Sequence, residues 1–459
     1  MLAQIEAINS AVNGVVWGPI MLVLLVGTGI YLTFRTRGLQ ARRFGYILRN
    51  TIGTLFSKDK KKSDSQHNLT PFQAVSTALA GTVGTGNIAG VTGAIFVGGP
   101  GAVFWMWVSA FFGMMTKYAE IVLALKYRQV DEKGAHYGGP MYYIEKGTGQ
   151  KWLAVIFALL GGIACFGIGN IAQSTEIAGA VQSLTGLDPL YTGIILAILT
   201  AIVVIGGVKR IGQVASYLVP FMAIFYIVAG LAIIALRISD VPAALASIFT
   251  QAFSLEPREI GGGVAGYTIM VSMQQGVARG VFSNEAGLGS APMAHAASDT
   301  QEPVEQGMWG VFEVFVDTIV ICTLTSMAIL LSGVLEYDLS SFASNGAAAA
   351  AAFNAILPGT IGGTVLQISL LFFALSTILG WSYYGERCWG YLSNNNKVVN
   401  YIFKIAFVLM CIVGSVGSGA LMWDISDTLN GMMAIPNLVG LLLLSGTVIR
   451  LTREYFDKK

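Results

Sequence analysis

The sequence predicts an all-α integral membrane protein of eleven transmembrane helices, ten of them in two inverted halves of five. Three observations predict this class. Of the 459 residues, 54% are hydrophobic and only 11% charged, whereas soluble domains carry about 25% charged residues. The basic residues gather on alternate connections between apolar segments. Two of those segments, about 190 residues apart, are interrupted by glycine and polar side chains.

A span needs about 20 apolar residues. Eleven segments meet that need, at residues 14–34, 71–96, 101–126, 153–181, 189–207, 211–236, 263–283, 308–333, 361–383, 399–417 and 429–449. The first is expected to stay as an anchor with its N-terminus outside. Residues 1–13 hold no Lys or Arg, and a cleaved signal carries its charge in front of the apolar run. Residues 35–70 form a basic connection containing Lys58-Asp-Lys-Lys-Lys62. Residues 127–152 are polar, turn at Gly138-Gly-Pro140 and have room for a short interfacial helix. The run Ala347 to Ala352 predicts a short helix in an outer connection.

Charge fixes the expected orientation. With the N-terminus outside, the inner connections and tail carry 23 Lys and Arg, and the outer side carries only Arg237 and Arg258. One missed helix would invert every later connection, so the asymmetry supports the span count. The expected organisation is an extra N-terminal helix with its basic connection (1–70), a first five-helix repeat (71–236), an inverted second repeat (263–449) and a cytoplasmic tail (450–459).

The stretch from Thr77 to Gly93 is the most informative. It carries glycine at 81, 84, 86, 90 and 93, with Thr82, Thr85 and Asn87 among them. Glycine costs roughly 1 kcal/mol against alanine in a helix interior. A helix that unwinds in a bilayer is tolerated only where it is buried in protein or lines a wet cavity. There its carbonyls can bind a cation and its half-helix N-terminus an anionic group. Close packing through small residues explains Gly90 and Gly93, but explains the polar trio less well. Gly84-Thr-Gly-Asn-Ile-Ala89 formally fits a dinucleotide fingerprint. No strand precedes it and no acidic residue stands at the required distance beyond it.

The matching interruption in the second half reads Met270-Val-Ser-Met-Gln-Gln-Gly-Val-Ala-Arg-Gly280. The first and sixth core helices are therefore expected to be discontinuous, a pattern that points to a transporter's binding site. Adjacent Gln274 and Gln275 cannot share one face of an intact helix, and unwinding at Gly276 would aim both amides into a cavity. The competing reading is interhelical hydrogen bonding. Phe166, Asn170 and Gln173 share one face of the 153–181 span at i, i+4 and i, i+3 spacing. In the 361–383 span, Ser376 and Thr377 precede Trp381, which lies one turn beyond Thr377.

Lys117 and Glu120 are three residues apart and are expected to pair. Glu313 and Asp317, four apart, are expected to face Arg279. The four cysteines stand singly, which predicts free thiols. The three histidines fall in polar connections, and no cluster has metal-ligand spacing. A net charge of +2 gives no sign of a nucleic-acid partner.

Two stretches are specific enough to compare with known families. They are Gly98-Gly-Pro-Gly-Ala-Val-Phe-Trp-Met-Trp-Val-Ser-Ala-Phe-Phe-Gly113 and Gly276-Val-Ala-Arg-Gly-Val-Phe-Ser-Asn-Glu-Ala-Gly-Leu-Gly-Ser-Ala-Pro292. Through them the chain resembles the alanine or glycine:cation symporter family over essentially its whole length. That family belongs with carriers of the leucine-transporter-like inverted-repeat fold. The resemblance implies a secondary transporter in a prokaryotic cell membrane. It would import small neutral amino acids, alanine and glycine, with sodium as coupling ion and no other cofactor.

The wider fold's Val-Gly-x-Gly-Asn is matched by Val83-Gly84-Thr85-Gly86-Asn87. The resemblance implies that sodium lies between the carbonyls of Ala80 and Val83 and the hydroxyls of Ser376 and Thr377. It also implies that the backbone from Thr82 to Gly86 receives the substrate carboxylate. At the second break this chain has Gln274-Gln275-Gly276, where the leucine transporter has Ser-Leu-Gly-Phe-Gly. Selectivity is then expected from walls at Phe166, Met273 and Trp381, with Asn170, Gln173, Gln274 and Gln275 offering oxygens to the ammonium group. A proton-coupled carrier of the same fold is the nearest alternative. A hydrolase built on Ser283-Asn-Glu285 lacks a histidine partner, and inverted halves do not suggest a channel.

Overall fold

The computed structural model describes residues 2–56, 67–260, 263–417 and 419–458. The lysine-rich run 58–62 lies outside the described residues. Helices α1 (Leu2–Val16) and α2 (Pro19–Arg35) meet at Trp17-Gly18, where Pro19 opens the second helix. Two short helices come next, α3 (Leu39–Arg42) and α4 (Phe44–Asn50). Thr70 and Gln73 form a capping box that starts α5 (Pro71–Thr82). After a break comes α6 (Ala89–Gly98), and the two halves are bent by 59°.

The long α7 (Gly101–Lys126) leads to a two-stranded hairpin, β1 (Gln129–Val130) and β2 (His136–Tyr137). The expected short helix is α8 (Pro140–Thr148), entered through Gly139 at φ 141°. Next, α9 (Lys151–Phe166) and α10 (Ala172–Thr185) are joined by a π turn at Gly167–Ile171 into one 35-residue span. The first half closes with α11 (Pro189–Val204), α12 (Gly207–Leu236) and α13 (Val241–Ala252).

A hairpin of β3 (Pro257–Ile260) and β4 (Gly263–Tyr267) precedes α14 (Thr268–Asn284). The expected span 263–283 therefore begins as strand, and its helix starts at Thr268. After α15 (Pro292–Ala296), α16 (Pro303–Val314) and α17 (Thr323–Leu331) are joined by a π segment at Phe315–Cys322. The alanine run forms α18 (Asn345–Ile356), as expected. The chain ends with α19 (Ile361–Leu392), α20 (Lys397–Val416) and α21 (Gly419–Asp457). Among the described residues, eight helices are long and apolar enough to cross a membrane, and the bent α5–α6 pair makes a ninth.

Two apolar clusters fill the bundle. In it α7 packs on α14, α16 and α2, while α19 packs on α5, α9, α10, α12 and α18. The four cysteines are buried and free. His295 departs from expectation. It lies in α15, fully buried, rather than in a polar connection.

Candidate substrate and ion site

The helix α5 ends where its backbone leaves helical geometry. Val83 has φ −78° and ψ 92°, and Gly84 has φ −137° and ψ −157°. A single 3-10 turn, Thr85–Asn87, then leads into α6. Ala80, Thr82, Val83, Gly84, Thr85, Gly86 and Asn87 are all buried. The φ of Gly84 is open to any residue, so its glycine has another cause. A Cβ there would overlap Thr377 Oγ1, and a Cβ on Gly86 would sit 3.0 Å from the Phe282 ring. Glycine at 84 is required by close approach of α19, not by backbone twist.

The α19 side of the crossing is equally tight. A Cβ on Gly380 would lie 2.6 Å from the Gly81 nitrogen and 3.2 Å from the Ala80 carbonyl carbon. Ser376 and Thr377 each donate their hydroxyl hydrogen to Phe373 O, at 2.8 and 2.9 Å. The same two oxygens stand 3.4 and 3.5 Å from Val83 O. Those separations are long for hydroxyl hydrogen bonds. They leave the lone pairs of two hydroxyls and one carbonyl converging across the α5–α19 crossing, a set suited to a hard monovalent cation.

The amides at the break are met by side-chain oxygens. Gly84 N–H donates to Asn87 Oδ1 at 2.9 Å, and Thr85 N–H donates to Gln173 Oε1 at 3.3 Å. Gln173 is held by its own Nε2, which donates to Ile168 O in the π turn at 2.9 Å. Of the three residues expected on one face, only Gln173 reaches the break. Asn170 donates to Phe407 O at 2.7 Å, and Phe166 packs its ring on Phe403 and Phe407, so both face α20. The π turn explains the split. One extra residue in a turn rotates the downstream helix by about 100° relative to regular i, i+3 spacing.

The second break is displaced from its expected place. Helix α14 runs unbroken through Met273, Gln274, Gln275 and Gly276 and ends at Asn284. These four lie roughly two to three turns before the opening. Gln274 is exposed, and its amide donates to Trp17 O at the α1–α2 junction at 3.4 Å. Gln275 packs against Gly98, and a Cβ on Gly276 would overlap Ala102 O of α7. Met273 is half-buried on the apolar cluster. The chain opens instead at Glu285–Ala291, where Glu285 (φ 56°), Gly287 (φ 97°) and Gly289 (φ 83°) are left-handed. Glycine suits that geometry, whereas Gly276 lies inside regular helix.

The first break and the last turn of α14 meet at Asp317, which the π segment between α16 and α17 carries. Asp317 Oδ1 accepts from Asn87 Nδ2 at 2.7 Å, and Oδ2 accepts from Ser283 Oγ and Thr318 Oγ1, both at 2.8 Å. Asn87 O accepts from Thr325 Oγ1 at 2.8 Å. Trp381, also buried, donates its indole N–H to Glu285 Oε1 at 2.9 Å. Its Cβ occupies the space that a side chain on Gly169 would need, and its ring meets Tyr384 edge to face at 5.5 Å. Trp381 therefore bridges the π turn after α9 and the second break.

The remaining buried charges pair differently from expectation. Lys117 Nζ lies 3.4 Å from Glu313 Oε1, not on Glu120, and Glu313 Oε2 is 3.0 Å from His295 Nε2. Glu120 Oε1 accepts from Asn437 Nδ2 at 2.6 Å and from Gly287 N–H at 3.1 Å. Arg279 pairs with Asp427 at 3.4 Å, away from Asp317. Phe282, Ser283 and Glu285 are not among the residues expected at a transport site; Ser283 and Glu285 enter the sequence reading only as the basis of a hydrolase. The available signal was the glycine spacing Gly287-Leu-Gly289, within the second of the two family-like stretches. Among the described residues no group of three or more His, Cys, Asp or Glu could hold a metal ion.

The chain has relatives among known proteins. The model of the sodium:alanine symporter family matches residues 2–459. The sodium/alanine symporter AgcS of Methanococcus maripaludis is 49% identical over 450 residues, covering 97% of this chain and 96% of its own. An uncharacterized transporter of Haemophilus influenzae is 45% identical over 455 residues, covering 99% and 97%. Among solved structures, MhsT in complex with L-phenylalanine superposes with TM-score 0.59 at 15% identity, over 84% of this chain and 99% of that one. At that identity the likeness shows the fold alone, that of leucine-transporter-like carriers.

Proposed function

Because the chain belongs to the sodium:alanine symporter family, a family of multi-pass membrane transporters and not enzymes, we propose a specific reading of its cation-coupled amino-acid transport. The protein imports alanine and glycine in symport with sodium by alternating access. One observation carries this reading. The only bent span among the described residues places its buried break against two α19 hydroxyls whose hydrogens are already committed to Phe373. Sodium binds among Ala80 O, Val83 O, Ser376 Oγ and Thr377 Oγ1.

The substrate carboxylate takes the N–H groups of Gly84 and Thr85. Asn87 Oδ1 and Gln173 Oε1 hold those donors in the present arrangement. A carboxylate is the stronger acceptor, since charge-assisted hydrogen bonds are roughly twice as strong as neutral ones. It can displace the amide oxygens, and the freed Gln173 oxygen can then face the ammonium group. Thr82 and Gly86 complete the backbone cradle. Trp381 closes the pocket on the side-chain end, with Phe282 over Gly86. Phe166, Asn170, Met273, Gln275 and Gly276, which pack against neighbouring helices, and the exposed Gln274 take no part in this reading.

The architecture proposed is eleven spans, with α11 and α14 as the two shorter crossings. Repeats 71–236 and 263–449 are inverted about the two breaks, behind an extra N-terminal helix. The N-terminus lies outside and the C-terminus in the cytoplasm, on the 23 to 2 bias of basic residues. A reporter fused after Lys459 should be active only on the cytoplasmic side.

Uptake into liposomes carrying the purified protein tests the function. An imposed inward sodium gradient should drive concentrative uptake of labelled alanine and glycine, and choline in place of sodium at fixed pH should abolish it. A proton-coupled carrier is the second reading, favoured by the buried Asp317 carboxylate between the two breaks. Uptake that persists in choline and tracks a pH gradient would replace the sodium reading with that one.

A further inference from the structure

We infer that the groove between the C-terminal ends of α2 and α21 binds the phosphodiester headgroup of an anionic phospholipid. The groove is a cavity of about 110 Å³ lined by Arg35, Arg37, Arg42, Arg453 and Asp457, among others. Its floor is apolar and hydroxylic. Leu39, Ile449, Thr36 and Thr452 are buried there, while the four arginines stand exposed around the rim.

Three observations carry the inference. First, four arginines and one carboxylate, Asp457, line the groove; Arg35 donates to Tyr31 Oη at 3.0 Å, and among the described residues no acid lies within salt-bridge distance of any of the four. Guanidinium presents a planar fork of donors that matches phosphate oxygens in pairs. Second, Arg37 is left-handed at φ 58°, directly before Gly38 at φ 63°. A left-handed residue is a common stop after a helix C-terminus, and here it fixes where Arg37 stands beside the groove. Here the turn is pinned by Arg37 N–H to Phe34 O and Gly38 N–H to Thr33 O, so it presents Arg37 and Arg35 on either side of Thr36. Third, the groove sits where a span ends. The apolar stretch Glu6–Arg35 stops at Arg35, and Phe34 beside it is 77% exposed.

Position selects the source of the phosphate. A free phosphate needs only the arginines. A phospholipid also needs an apolar surface running away from them into the bilayer, and Phe34 starts one. Basic pockets between transmembrane helices at a membrane face suit such headgroups.

Native mass spectrometry of the purified full-length protein, exchanged into detergent with equal phosphatidylglycerol and phosphatidylcholine, tests the inference. Wild type should retain phosphatidylglycerol in preference to phosphatidylcholine. Removing Arg37, Arg42 and Arg453 together as R37Q/R42Q/R453Q should cut the retained phosphatidylglycerol at least fivefold and leave phosphatidylcholine unchanged. The charge-matched control R49Q/K133Q/K397Q removes exposed basic residues elsewhere and should retain phosphatidylglycerol as wild type does. Equal losses in the two triple variants would reduce the effect to general surface charge and overturn the site. Retention unchanged in R37Q/R42Q/R453Q would overturn it too. Displacement of the lipid by millimolar inorganic phosphate would assign the groove to free phosphate instead. Should the triple variant fail to fold, R42Q and R453Q singly decide the matter, each expected to lower retention at least twofold.

Discussion

Asn87 donates its amide hydrogen to Asp317 Oδ1 at 2.7 Å while its own oxygen accepts from Gly84 N–H at 2.9 Å. One side chain therefore spans from the break in the first interrupted helix to the π segment after α16. Asp317 in turn receives Ser283 from the end of α14 at 2.8 Å. The first break and the end of α14 share a carboxylate.

Replacing that carboxylate should uncouple them. In Asp317→Ala the buried Asn87 amide and Ser283 hydroxyl lose their acceptor. A buried donor left unmade costs about 1–3 kcal/mol, so uptake of alanine should fall at least about tenfold if that cost enters the transport cycle. Asp317→Asn keeps one oxygen acceptor and should retain more activity than Asp317→Ala. Initial uptake rates in proteoliposomes, normalised to folded protein, check the order of the two variants.

A methyl at position 84 has nowhere to go. Its carbon would overlap Thr377 Oγ1, and overpacking costs typically about 1–3 kcal/mol. Gly84→Ala should lower the melting temperature. Thr377→Ala removes the clashing oxygen, so the double variant should be destabilised by less than the sum of the two single changes. Thermal melts of all four proteins form the cycle. Strict additivity would place the two residues out of contact.

Thr377→Ala alone should raise the sodium concentration for half-maximal alanine uptake by about tenfold, the effect of losing roughly 1.4 kcal/mol of ion binding. Ser376→Ala should act in the same direction. A sodium titration at saturating alanine reads the effect. An unchanged half-saturation for Thr377→Ala would remove this hydroxyl from the ion site.

Trp381 separates bulk from hydrogen bonding. Its indole fills the space beside Gly169 and its N–H reaches Glu285. Trp381→Ala should admit leucine or valine and weaken alanine, while Trp381→Phe keeps most of the ring and should go on excluding leucine. Since a methylene in an apolar pocket is worth only about 1–3 kcal/mol, rejection of large substrates must come from bulk. Competition against labelled alanine measures it, and failure of leucine to compete in a folded, sodium-responsive Trp381→Ala protein would leave Trp381 a packing residue.

The first break was legible because its glycines sit among hydroxyl and amide side chains within one apolar segment. The second was misplaced because Gln274-Gln275-Gly276 looked like the same pattern. Gly276 is small because α7 passes over it at Ala102, a tertiary cause with no local trace. The split of Phe166 and Asn170 from Gln173 is caused by the π turn at Gly167–Ile171, which regular helical spacing does not anticipate. The buried pair Lys117–Glu313 and its neighbour His295 joins residues nearly 200 positions apart. Sequence distance from Glu120 and Arg279 suggested other partners. The large features were readable for a simpler reason. Apolar length, and glycines gathered among polar side chains within one apolar segment, are local properties of the chain.

The central claim is that one break serves sodium and the amino acid together. Calorimetric titration of alanine into the purified protein, with sodium and with choline, tests it most directly. Binding linkage is reciprocal, so the account predicts that sodium tightens alanine binding by about tenfold or more, a coupling of roughly 1.4 kcal/mol. It also predicts that Thr377→Ala loses most of that tightening while still binding alanine. Alanine affinity equal in sodium and choline would contradict the account.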